Sequence, residues 1–197
     1  MIAGNHERGV EENEAIFRQM CKERGIIYLN DTSVELQFLP GFVYIDQNIP
    51  DLPKIKIHGS PVTPWFFDWA WNRSIRDDHQ VYDPRQGNKG GSKSVQPIKP
   101  HWDMIPEDTD ILVTHGPPLG ILDELVYVDG TPKGQFVGCP HLAERIKEVK
   151  PDLHIFGHIH AHGNKQIHKD GTSFYNVAIC DEMYGPTNPI TVIEYEK

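Results

Sequence analysis

The chain alternates short apolar runs with polar turns and carries few long periodic helices. Val34, Leu36 and Phe38 alternate with Glu35 and Gln37, the period of two expected of a half-buried strand. Apolar runs at 26–29, 42–45 and 55–57 predict three more strands, set apart by the turn signals Asn30-Asp31 and Pro40-Gly41. Residues 110–114 (DILVT) and 152–156 (DLHIF) read as buried strands, and the first three residues as the last turn of another. The tail predicts strands at 163–168, 173–177 and 191–195. Helical spacing is confined to two segments. Residues 11–24 bring Ala15, Ile16, Met20 and Cys21 toward one face, with acids in the first turn and Gly25 as the stop. Residues 140–149 open on Pro140, which suits a first helical turn. Residues 119–138 predict a loop, and the polar stretch 72–100 a long surface insertion. Strands and helices alternating in this way predict one α/β layered domain over residues 1–197.

Composition narrows the function. The net charge is −9, which argues against a non-specific nucleic-acid binder, since that needs a basic face. A phosphate substrate stays open, because a bound metal reverses the sign of the local field. Cys21, Cys139 and Cys180 are odd in number and widely spaced, so a disulfide framework is not expected and a reducing compartment is. With no leader pattern at the start and no membrane-length apolar run, the expectation is a cytoplasmic protein with no membrane partner.

The 11 histidines change the picture, because several follow apolar runs and sit beside glycine. Three clusters stand out. Gly157-His158-Ile159-His160 places two imidazoles on a turn after a strand, where they could serve one ion or two, or simply be solvated. Gly157 is expected to let the backbone pass close to a metal. Thr114-His115-Gly116-Pro117-Pro118 sets a histidine at the carboxyl end of a buried strand, where open sheets present functional groups. Gly4-Asn5-His6-Glu7 offers an amide oxygen for a metal and an imidazole for acid chemistry, though the first residues of a chain are ordinarily loose. His154, mid-strand, reads as packed or hydrogen-bonded. The aromatic run Trp65, Phe66, Phe67, Trp69 and Trp71 reads first as packing and second as a wall that could stack a nucleobase.

Taken in order, G-N-H-E, T-H-G-P-P and G-H-x-H resemble the calcineurin-like metallophosphoesterase superfamily. The likeness is greatest to its brain-expressed metallophosphoesterase-domain branch. Gly59-Ser60-Pro61, Pro64-Trp65-Phe66, Val137-Gly138-Cys139 and Pro186-Thr187-Asn188-Pro189 extend it along the chain. The resemblance implies a four-layer αββα sandwich and a two-metal hydrolysis of phosphoesters. It implies Asn5, His115 and His158 as ligands of one metal, His160 as a ligand of the other, and His6 as the residue assisting the leaving group. Manganese, iron or zinc suits such donors. The implied substrate is a small phosphoester, with phosphodiesters such as cyclic nucleotides foremost. The family's Asp-x-His and Gly-Asp segments, which belong upstream of the Asn-His, have no counterpart in the sequence. The expectation is therefore an N-terminally incomplete domain, best explained as a fragment or misplaced start. It should lack strands of one sheet, bind one ion or none, and be able to self-associate through exposed strand edges. The competing expectation is a catalytically impaired relative that binds nucleotides or acts as a scaffold. A metallo-β-lactamase-like hydrolase fits less well, because its early H-x-H-x-D-H segment is missing.

Overall fold

The computed structural model describes residues 1–39, 41–76, 78, 80–82 and 92–197. The chain opens as an extended segment. Met1 donates its N–H to the Ile27 carbonyl at 2.5 Å, and Leu29 donates back to Met1 at 2.8 Å. The run at 26–29 thus meets residues 1–3 edge to edge, but the pairing is too short to form a ladder in either segment.

Two helices follow, α1 (Arg8–Glu12) and α2 (Glu14–Glu23), where one was expected. The break is at Asn13, at φ −130°, whose side-chain amide donates to the Gly9 carbonyl at 3.1 Å. Asparagine offers the backbone this local alternative to helix. Gly25 takes φ +67° and Ile26 returns its N–H to the Cys21 carbonyl, which ends α2. The buried stripe is Val10, Phe17 and Cys21, packed with Ala3, Tyr28, Ala70 and Trp71. Ile16 and Met20 lie one position round the helix from Phe17 and Cys21 and face solvent.

The remaining elements, in order, are β1 (Thr32–Leu39), β2 (Phe42–Ile45), β3 (Lys54–Ser60), β4 (Thr63–Pro64), β5 (Asn72–Arg73), β6 (Gln80–Tyr82), β7 (Ser92–Ser94), α3 (Lys99–Asp103), β8 (Ile111–Thr114), β9 (Glu124–Val126), β10 (Pro132–Phe136), α4 (Pro140–Val149), β11 (Leu153–Phe156), a 3-10 turn at His160–His162, β12 (Lys165–Lys169) and β13 (Thr172–Asn176). One mixed, seven-stranded sheet organises them in the order β12-β13-β11-β8-β3-β1-β2. β13, β11, β8 and β3 run parallel, with antiparallel pairs at both edges. The α/β sandwich expected from the sequence is the observed class. The other strands among the described residues form only two-stranded pairs.

The main core lies between this sheet and α3 and α4. Leu112, Phe156 and Phe174 from adjacent strands meet Trp102, Leu142 and Ile146 from the helices. Each such side chain contributes roughly 1.5–3 kcal/mol by leaving water. Trp102 donates its indole N–H to the Cys139 sulfur at 3.2 Å.

Four expectations need correction. Gln37, expected to face solvent, is buried, and Phe38 is exposed instead. The Gln37 amide bonds the Ile49 N–H, the Ile49 carbonyl and the Leu52 carbonyl at 2.8–3.0 Å, so it satisfies a loop that would otherwise bury bare backbone. Residues 119–138 hold the β9–β10 hairpin. Within 72–100, Asn72, Ser74 and Ile98 are buried and β5, β6 and β7 form, while residues 83–91 lie outside the described residues. Residues 191–195 form no strand and pair with none among the described residues. Their end is pinned by Tyr195 Oη to Asp152 and Lys197 Nζ to Asp110, each at 2.5 Å. The edge strand β2 exposes Phe42, Val43 and Ile45. No helix among the described residues is long and apolar enough to cross a membrane.

Candidate metal centre

The sheet brings the histidine clusters together. β8 and β11 are parallel neighbours, with Val113 opposite Ile155. Their carboxyl ends are therefore level, and His115 and His158 leave the sheet side by side. Gly157 donates its N–H to the His115 carbonyl at 3.0 Å, which ties the two turns together. The imidazole centroids of His115 and His158 are 4.6 Å apart.

Asn5 arrives from the other side. It is buried, and its carbonyl accepts from Ala70 at 3.1 Å. His115 donates its Nε2–H to Asn5 Oδ1 at 2.8 Å. Gly4 makes this approach possible, because a Cβ there would lie 2.7 Å from two atoms of the His115 ring. A Cβ at Gly157 would meet no protein atom closer than 3.8 Å. His158 itself takes the left-handed conformation, at φ +68°. A side chain held there costs of order 1 kcal/mol or more, and such strain gathers at functional sites.

Burial drives both imidazole pKa values down. His115 falls to about 3 and His158 to about 4, first through desolvation and then through neighbouring histidines. Both are neutral near pH 7, the form that binds a metal. His154, expected to be packed or hydrogen-bonded, is both. Thr114 Oγ1 donates to the Gly116 carbonyl at 2.7 Å and must therefore accept from His154 Nε2–H at 2.8 Å. This pair holds the turn that carries His115.

His6 and His160 stand across the same cleft. His6 is exposed, with its ring edge-on to Trp69 at 4.2 Å. His160 donates Nδ1–H to the Asp181 carbonyl at 2.7 Å. Tyr184 meets both rings edge-on, at 5.9 Å from His6 and 5.1 Å from His160. Sequence reasoning missed Tyr184. It sits at φ +62° in a loop built on Asp181, whose carboxylate accepts from the Met183 and Gly185 N–H groups. Only the Pro186–Pro189 segment hinted that this region is ordered. The cleft has a volume of about 1010 Å³. Trp65, Phe66 and Trp69 form part of its wall, whereas Trp71 belongs to the core. The aromatic run is thus divided between the two readings.

The chain belongs to the calcineurin-like phosphoesterase family. The family model matches residues 1–162. Metallophosphoesterase domain-containing protein 1 of Homo sapiens and that of Mus musculus are each 34% identical to the chain over 205 residues, which cover 98% of it and 54% of the relative. A UPF0046 protein of Caenorhabditis elegans is 33% identical over 73% of the chain and 30% of its own length. The chain thus spans about half the length of its mammalian relatives. Members of the family hydrolyse phosphoesters and use divalent metal ions.

The donor chemistry fits one such ion. Two ligands bound about 2.1 Å from one ion and roughly at right angles lie about 3 Å apart, close to the 2.8 Å between Asn5 Oδ1 and His115 Nε2. Holding an ion there requires His115 to move its proton to Nδ1. His160 is oriented as metal-binding histidines commonly are, with one ring N–H on a backbone carbonyl and the other nitrogen left as a lone pair. Among the described residues, no three His, Cys, Asp or Glu side chains form a group that could hold a metal, so the donors that meet are the Asn5 amide and the imidazoles.

Proposed function

We propose that this cleft hydrolyses phosphodiesters in a metal-dependent reaction, with cyclic nucleotides as the substrate class. The observation that carries the reading is the gathering of Asn5, His6, His115, His158 and His160 around one cleft. Asn5, His115 and His158 would hold one ion, and His160 would serve a second in the family's two-metal form of the reaction. A divalent ion bound there supplies Lewis acidity and neutralises phosphoryl charge. The protein's own groups do the rest. His6 reaches into the open cleft and gives a proton to the departing oxygen. Trp69 fixes the His6 ring, and the wall of Trp65, Phe66, Trp69 and Tyr184 offers apolar faces for a nucleobase.

A second reading has one observation in its favour: among the described residues, no three His, Cys, Asp or Glu side chains form a group that could hold a metal. Under it the chain binds nucleotides without turning them over. Hydrolysis of bis-p-nitrophenyl phosphate by the 197-residue chain, with and without Mn²⁺, separates the two. Turnover that requires Mn²⁺ and vanishes in a folded His158→Ala variant is expected. Nucleotide binding without metal-dependent turnover would assign the second reading instead.

A further inference from the structure

A second cavity, of about 480 Å³, lies away from the cleft, between α4 and the β12–β13 edge of the sheet. Its floor is apolar, formed by the buried Ile121, Ile146 and Phe174. Its rim is cationic. Lys147 and Lys150 come from the end of α4, and Lys169 from the end of β12. All three are exposed, and none has a hydrogen-bond or ion-pair partner for its ammonium group among the described residues. Asp170 is the single acid among the lining residues. In a chain of net charge −9, three unpaired lysines around one apolar hollow are a local reversal of sign.

The bland explanation is that Lys147 and Lys150 face the negative end of the α4 dipole. It does not account for Lys169, which belongs to another element, or for the hollow between them. Nor does it explain the backbone at Lys150. That residue takes φ +50° and ψ +57° just past the helix, the position where glycine is favoured. A lysine is kept there in a strained conformation, and it lines the cavity.

We infer that this cavity binds a soluble amphipathic monoanion, a carboxylate or sulfonate on an apolar body. The volume suits a small ligand, since such pockets run to about 300–1,000 Å³. The apolar body would fill the floor while the anionic head meets the three lysine side chains. The site is separate from the cleft and independent of any metal there.

The test uses the fluorescence of 8-anilinonaphthalene-1-sulfonate and its displacement by octanoate. One displaceable equivalent is expected per chain. The Lys147→Gln/Lys150→Gln/Lys169→Gln variant changes only exposed side chains, so it should keep its circular dichroism and lose at least tenfold in affinity for both probes. Ala143→Phe, which projects into the hollow, should abolish displacement, whereas His158→Ala in the cleft should leave it unchanged. Binding that survives either the lysine changes or the filled hollow, or that octanoate fails to displace, overturns the inference.

Discussion

His115 donates its Nε2–H to Asn5 Oδ1 across 2.8 Å, although 110 positions separate the two residues. The bond marks where two donor atoms have been brought to the spacing that one ion requires. Both are neutral groups, so neither offsets an ion's charge. Asn5→Asp supplies that charge at the same position. Calorimetric titration with Mn²⁺ should show at least tenfold tighter binding, equivalent to about 1.4 kcal/mol or more. Unchanged or weaker binding would remove Asn5 from the ligand set.

His158 lines the cleft in an unfavourable backbone conformation. Glycine adopts φ near +68° without penalty. His158→Gly should therefore raise stability to urea by roughly 1 kcal/mol, while Mn²⁺ binding and turnover are lost. A variant that loses stability instead would mean that imidazole packing outweighs the strain.

His6 is assigned to the leaving group, so its removal should matter in proportion to how poor that group is. His6→Gln should slow a phenyl phosphodiester by about 10²–10⁴-fold. The p-nitrophenyl diester, whose leaving oxygen needs no proton, should be much less affected. Equal losses for the two substrates would make His6 a binding residue.

Acid should loosen the fold through buried histidines. Burial pushes the pKa of His154 down to about 3 and that of His58 down to about 4. Unfolded, both titrate near 6.5. Above that pH neither state binds the proton, and stability is level. Below it the unfolded chain takes up protons that the folded chain refuses, so stability falls as pH falls from 6.5 toward 4. Each histidine contributes a slope of up to about 1.4 kcal/mol per pH unit. Urea midpoints across this range should show the slope, and His154→Gln should lower it by about one proton. A flat profile would contradict the burial of these rings as neutral species.

The extent to which this protein can be read from its sequence follows the range of the forces involved. β2 and α4 fall where the pattern puts them, and β8 and β11 begin one residue later, because strand alternation and the Pro140 start are set by neighbours within a few positions. Asn5, His6, His115, His158 and His160 were recognisable as chemistry-bearing residues, since they sit at strand ends beside glycine and proline. Their meeting was decided by tertiary structure alone. Parallel pairing of β8 with β11 sets His115 opposite Gly157, next to His158, and the bonds of Met1 with Ile27 and Leu29 help carry Asn5 toward them. Neither registration has a local signature, because each depends on pairing across long stretches of chain. The same holds for Gln37, a polar residue that is buried only because a distant loop needs its amide. It holds for His158, where the surrounding turn, and no glycine, takes the left-handed backbone. Tyr184 is placed between His6 and His160 by a loop folded on the Asp181 carboxylate, an arrangement that no pattern of hydrophobic and polar positions encodes.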